Sequence, residues 1–174
     1  METWRYKARS VTKYNPQNFN SEGVFLLNEW TSYSDIGKII DLKTNSFLSK
    51  KSYLEVENNY VYSVKMFMQE LNTDKVKITN MHKISDKDDF IKHKDMDLYK
   101  FYTKLAEGEY SLDSIELIMK LVLREYIQVT IEIITHNRDS FIYFGFDYYM
   151  YFVSDSVDFN KLKNKLINYG MYLT

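Results

Sequence analysis

Ile127-Gln128-Val129-Thr130-Ile131-Glu132-Ile133-Ile134-Thr135 and, beyond the polar turn His136-Asn137-Arg138-Asp139, Phe141-Ile142-Tyr143-Phe144-Gly145-Phe146-Asp147-Tyr148-Tyr149-Met150-Tyr151-Phe152 together decide the fold class. β-Branched and aromatic residues dominate, and the period is two, which sends successive side chains to opposite faces of a strand. The reading is an antiparallel meander with strands near Ile127–Thr135, Phe141–Phe146 and Tyr148–Ser154. Ile142, Phe144 and Phe146 then share one face, with Phe141 and Tyr143 on the other. Tyr149 and Tyr151 oppose Tyr148, Met150 and Phe152. One face is core; the tyrosine-bearing face is either covered by the loop around Trp30 or exposed.

Upstream of the meander the period lengthens. Ser111 is placed to cap a helix over Leu112–Glu125, whose Ile115, Ile118, Met119, Leu121 and Val122 form an apolar side with Tyr126. The strongest helical signal follows Ser49, over Lys50–Leu71, where Tyr53, Leu54, Tyr60, Val61, Val64, Phe67, Met68 and Leu71 make one stripe. Glu57 falls in that stripe, and a carboxylate there is costly unless bonded. It is expected at the rim, or accepting hydrogen bonds from Trp30 or a nearby hydroxyl, in a structural role.

Between these helices Lys75–Ile84 reads as a strand, Ser85–Asp97 as a charged connection, and Leu98–Ala106 as a helix ended by Gly108. Eight lysines offset eight acids across Asn72–Glu109, which reads as a solvated surface. Thr3–Val11 alternates Trp4, Tyr6 and Ala8 and reads as a strand, and Thr12–Leu27 as a loop around Pro16. Asp158 caps a last helix, Phe159–Tyr169, before a short tail strand, Met171–Thr174. The expectation is a single α+β domain, residues 1–174, in which an antiparallel sheet with a C-terminal aromatic meander is packed on one face by helices. Strand order is not readable from the pattern, nor is oligomeric state or whether the tail strand joins the sheet.

Composition bounds the function. The chain has 174 residues, 45% hydrophobic and 17% aromatic, with a net charge of −1 and no cysteine. That length supports one core without staples, and the missing cysteine excludes a disulfide scaffold, a thiolate zinc site and a cysteine nucleophile. Met1–Lys7 lacks the apolar stretch of a signal peptide, and no long apolar run spans a membrane, so the protein is expected in the cytoplasm with no membrane partner. Balanced charge gives no field for a nucleic-acid backbone, and no nucleic-acid partner is expected.

No constellation nominates chemistry. The five glycines are scattered, and His82, His93 and His136 lack metal-ligand spacing. Asp88 with Asp89, Glu107 with Glu109, and Asp155 with Asp158 read as surface or capping acids. No catalytic residue, cofactor-binding residue, metal ligand or cofactor is expected. The informative feature is instead the aromatic meander. Residues 125–160 hold Glu125, Glu132, Asp139, Asp147, Asp155 and Asp158 against Arg138 alone, a local net of −5. A tyrosine-rich acidic sheet suits a basic protein partner.

Asn28-Glu29-Trp30-Thr31-Ser32-Tyr33-Ser34-Asp35-Ile36-Gly37-Lys38, Tyr53-Leu54-Glu55-Val56-Glu57 with Tyr60, and Tyr143-Phe144-Gly145-Phe146-Asp147-Tyr148-Tyr149-Met150-Tyr151 resemble segments of small bacterial immunity proteins of polymorphic toxin and contact-dependent inhibition systems. The resemblance covers about a third of the chain. It implies a stoichiometric inhibitor that occludes a cognate toxin C-terminal domain, for example a basic nuclease, without catalysis. It further implies that Trp30, Ser34, Asp35, Gly37 and Glu57 build the scaffold. Ser34 or Asp35 would cap a turn anchored by Trp30 and Ile36, with Gly37 at positive φ. Tyr143, Asp147, Tyr149 and Tyr151 are the candidate toxin interface. Two other classes compete. One is a small hydrolase or transferase using Glu57, Asp35 and a histidine near Trp30; the other stacks single-stranded RNA on tyrosines, which needs neighbouring lysines.

Overall fold

The structure, a computed structural model, describes residues 8–135 and 140–174. The readings on Trp4, Tyr6 and the turn His136–Asp139 lie outside the described residues. Among the described residues nine strands form, β1 (Ala8–Thr12), β2 (Ile40–Asp41), β3 (Ser46–Phe47), β4 (Lys75–Lys83), β5 (Gly108–Ser111), β6 (Ile127–Ile133), β7 (Ser140–Phe144), β8 (Met150–Val153) and β9 (Tyr172–Leu173). Five helices accompany them, α1 (Lys50–Glu70), α2 (Lys87–His93), α3 (Met96–Lys104), α4 (Leu112–Leu123) and α5 (Phe159–Leu166). The fold is α+β.

Seven strands make one antiparallel sheet in the order β5-β4-β6-β7-β8-β1-β9. Its register explains the core. Ile78 pairs with Ile131, Ile131 with Ile142 and Ile142 with Phe152, while Met150 pairs with Val11 and Val11 with Leu173. Paired residues share a face, so these side chains form one continuous buried layer. The opposite face carries Lys77 against Glu132, Thr79 against Thr130 and Tyr143 against Tyr151. The tail strand joins the sheet beside β1, and Thr174 exchanges backbone hydrogen bonds with Ser10 at 2.9 and 3.0 Å.

Helices close the apolar face. Ser49 caps α1 through the Ser52 N–H, and Tyr53, Glu57, Tyr60, Val61, Val64, Phe67 and Met68 face inward at helical spacing. Phe67 lies flat on Phe152 of β8, centroids 4.3 Å apart at 7°. Asp158 caps α5 as its position implies, accepting from Asn160 and Lys161 N–H groups.

Several local expectations are corrected. The charged run Ser85–Asp97 contains α2, because Asp86 and Asp89 form a reciprocal capping box and Phe90 is fully buried. Gly108 does not end α3, which stops at Lys104; it opens edge strand β5. Strand β7 stops at Phe144, and Phe146 leaves the inner face because a turn interrupts the alternation. The two-residue ribbon β2–β3 carries no pattern long enough to be seen in sequence.

Phe67→Ala removes the ring that joins α1 to β8. We expect a loss of about 3–5 kcal/mol in urea unfolding, with little change for Phe146→Ala, whose side chain is exposed.

Candidate functional site

Two structures meet beneath the C-terminal end of α4, a buried ionic clamp and the β7–β8 hairpin that it supports. Arg124, the residue after α4, sets the clamp. Its Nε and Nη2 each donate to a Glu57 carboxylate oxygen at 2.7 Å, and its Nη1 lies 2.9 Å from Asp95 Oδ1. Glu57 is fully buried. Its expected partners, Trp30 or a hydroxyl, are replaced by a guanidinium 67 residues away in sequence, because only a fork of donors satisfies both oxygens of a buried carboxylate.

Asp95 completes the clamp. Its Oδ2 accepts from the Tyr33 and Tyr126 hydroxyls at 2.9 Å each, while Oδ1 also faces Lys50 at 3.5 Å. The Tyr33 ring packs beneath the guanidinium, 5.1 Å from its carbon. Burial alone would lift the Asp95 carboxyl, but Arg124 and the hydroxyls of Tyr126 and Tyr33 outweigh it and hold it below its ordinary range. Burial likewise works against the Arg124 charge, and Glu57 and Asp95 overcome it. Asp95 was hidden in sequence by the lysine-rich run around it.

The segment around Trp30 serves this clamp as scaffold. Ser32, not Ser34 or Asp35 alone, caps the single turn Tyr33–Asp35, and the Asp35 carboxylate accepts from Thr31 and Ser32 N–H at 2.8 and 3.0 Å. The turn thereby aims Tyr33 at Asp95. Ser34 is exposed and bonds only within the turn, to Ser32 Oγ at 2.7 Å. Gly37 takes φ +77°, as expected, and donates to Leu48 O at 2.9 Å. Trp30 is buried against Tyr53 and Tyr148. Over its ring, at 4.0 Å, sits the Lys13 ammonium, which is paired with Glu29 at 2.7 Å. Burial lowers the Lys13 pKa even though Glu29 opposes it.

From this base rises the hairpin. Gly145 N–H bonds Tyr149 O at 2.7 Å and Tyr149 N–H bonds Phe146 O at 3.0 Å. The two residues between, Asp147 and Tyr148, have φ +54° and +62°, a primed turn normally reserved for Asn-Gly. Left-handed geometry costs about 1–2 kcal/mol for such residues, and anchors at Tyr148 offset it. Its hydroxyl lies 2.9 Å from both the Tyr53 hydroxyl and the Leu123 carbonyl, and its own carbonyl accepts from Tyr60 at 2.6 Å. The tip residue Phe146 is 88% exposed.

The structure gathers the four interface candidates at this end of the sheet. Tyr143 and Tyr151 stack on the outer face at 4.9 Å and 9°, Tyr149 lies between Tyr151 and Tyr14, and Asp147 is exposed at the turn. The Trp30 loop covers Tyr148 and not the stacked pair. A Cβ on Gly145 would come within 3.2 Å of the Tyr151 ring, so that ring needs the glycine. Phe146, Glu125, Arg124 and Asp95 went unnoticed as site residues in sequence. A free-standing phenylalanine between a glycine and an aspartate was the available signal for the first. Among the scaffold residues, Glu57 has both oxygens bound by Arg124, Asp35 Oδ2 accepts from two backbone N–H groups, and His93 stacks on Tyr33 at 4.9 Å.

Comparison of the chain with protein-family models, curated proteins and solved structures gives no match.

Arg124→Met strands two buried carboxylates, and we expect a loss of about 3–5 kcal/mol in chemical denaturation. Acid acts on the same group. Because the folded-state pKa of Asp95 is depressed, its contribution is fully present above the unfolded value, about 3.9, and is lost as pH falls through the lower folded value. Thermal midpoints should fall in that acidic window, and Asp95→Asn should flatten the fall while lowering stability at neutral pH.

Proposed function

We propose that this protein is a stoichiometric inhibitor, an immunity protein that acts in the bacterial cytoplasm and neutralises a cognate toxin domain by occluding its active site or substrate path. The observation that carries this reading is Phe146, 88% exposed at the tip of a turn anchored from below. A large ring held in water contributes nothing to folding, whereas an aromatic anchor surrounded by a polar rim is the usual centre of a protein interface. Tyr149 and the Tyr143–Tyr151 stack extend that surface.

Charge selects the partner. Glu125 and Asp147 border the tip, within a stretch of local net −5, which favours encounter with a basic domain such as a nuclease and disfavours a nucleic-acid backbone. The competing hydrolase or transferase would draw on carboxylates near Trp30. Glu29, Asp35 and Glu57 are each committed, to Lys13, to backbone N–H groups and to Arg124. No helix among the described residues is long and apolar enough to cross a membrane.

The test is co-purification with the C-terminal domain of whatever large secreted protein the neighbouring upstream gene encodes, followed by calorimetric titration. We expect a one-to-one complex of about nanomolar affinity, weakened roughly thirtyfold or more by Phe146→Ala and less by Tyr149→Ala. Absence of a complex removes the reading, and a complex indifferent to both substitutions moves the interface away from the hairpin tip.

A further inference from the structure

The large sheet comes apart at one place. β6 begins at Ile127, yet its register with β7 begins only at Ile131, opposite Ile142. Residues 127–130 stay paired with β4 through Thr130 with Thr79, Gln128 with His82 and Ile127 with Lys83. On their other side the β7–β8 hairpin turns away, and a hollow of about 700 Å³ opens. Tyr60, Val122 and Leu123 form its base, and Glu125 and Asp147 lie among its lining residues. A bulge in β4, with Asn80 at φ +52°, brings Asn80 and His82 to the same hollow.

Folding does not account for this arrangement. Among the described residues no cation pairs with Glu125 or Asp147. Glu125 is exposed at the mouth of the hollow, and partial burial, Asp35 and Asp147 raise its pKa above the ordinary value. The hollow is of the size of ligand-binding cavities, roughly 300–1,000 Å³, and it is bordered by a strand with one neighbour.

We infer that the split between β6 and the β7–β8 hairpin receives an extended segment of the partner protein bearing lysine or arginine, lying beside residues 127–130 with one basic side chain between Glu125 and Asp147. This rests on the inhibitor reading and names what the toxin domain contributes. A strand laid beside four extended residues has about 13 Å of backbone to bond. The methylene stem of a basic side chain covers apolar wall at Val122 and Leu123 while its head stays at the acidic rim. Neutralising Glu125 and Asp147 returns the cost of their repulsion. A nucleic-acid strand entering the same split would meet two uncompensated carboxylates.

The probe is a short synthetic peptide alternating lysine with valine, titrated to millimolar concentration against the whole protein, with a peptide carrying glutamate for lysine as control. We expect the lysine peptide to shift the backbone amide resonances of residues 127–130 and 144–149 saturably, and the glutamate peptide to leave them unmoved. Glu125→Gln with Asp147→Asn should weaken binding by about tenfold or more. Both changes preserve shape, and asparagine tolerates the left-handed turn. Glu125→Gln should also raise the thermal midpoint at neutral pH, because a carboxyl with a raised folded-state pKa opposes folding once ionised, and the gain should vanish below the carboxylate range. Lost binding in these variants is therefore not lost fold. Unmoved amides, or binding indifferent to the two substitutions, overturn the inference. A toxin-domain complex whose affinity ignores Glu125→Gln and Asp147→Asn overturns it too and leaves the inhibitor reading standing. Peptide binding without any toxin-domain complex supports the split as a basic-segment site and removes the inhibitor reading.

Discussion

A guanidinium cannot leave water without partners, and Arg124 finds its partners in segments that are remote in sequence. Glu57 comes from α1, Asp95 from the junction of α2 and α3, and Tyr33 from the turn after Trp30. Each component alone would be a buried charge or an unmatched hydroxyl, at a cost of several kcal/mol per ion. Together they fill both oxygens of Glu57 and all the acceptor positions that Asp95 directs at its neighbours. The clamp therefore specifies more than it stabilises. An arrangement that misplaces any one of these segments strands the others, so the Trp30 loop, which has little regular structure of its own, is fixed by the ionic core it helps to close.

The hairpin inherits that order through α1. Tyr53 and Glu57 are four residues apart and lie on one face of the helix, so the residue that meets Arg124 and the residue that meets Tyr148 are positioned by the same turn. Tyr60, two turns on from Tyr53, holds the Tyr148 carbonyl. The left-handed Asp147–Tyr148 pair is thus fastened at a hydroxyl and at a backbone oxygen, and the tip needs no Asn-Gly sequence to keep its shape. Rigid presentation matters for binding, since an interface that is already ordered loses less entropy on association.

Periodicity made β4, β6, β7, β8, α1, α4 and the α+β class legible, because each repeats its signal along a buried face, whereas the four-residue edge strand β5 is too short to show one. The partners of Glu57 were not legible. A carboxylate in an apolar stripe announces that some donor exists, but Arg124 sits at the end of another helix and carries no local mark of its direction. Asp95 was masked by composition, as one acid among sixteen charges that balance to zero across Asn72–Glu109, although it is 7% exposed. Phe146 was misplaced for a different reason. Alternation from Ile142 and Phe144 carried it inward, and only the backbone sign change at Asp147 and Tyr148, which no glycine advertises, turns it out.

Those failures fall where the fold acts against local preference. A sequence specifies its structure when propensity, pattern, charge and turn chemistry agree, and sites of function are where they disagree. Here the disagreements coincide at one end of the molecule. Glu125, Asp147 and Tyr148 take left-handed backbone without glycine, Glu125 and Asp147 hold like charge without a counter-ion, Phe146 faces water, and β6 parts from β7. Any one could be an accident tolerated by a stable domain, since even a strained left-handed residue costs about 1–3 kcal/mol at most. Four of them within one hairpin and its neighbouring strand are sustained by the clamp below. A binding partner that brings apolar surface to Phe146 and positive charge to Glu125 and Asp147 relieves them together, which is the physical ground for placing the interface there and not on the quieter faces of the helices.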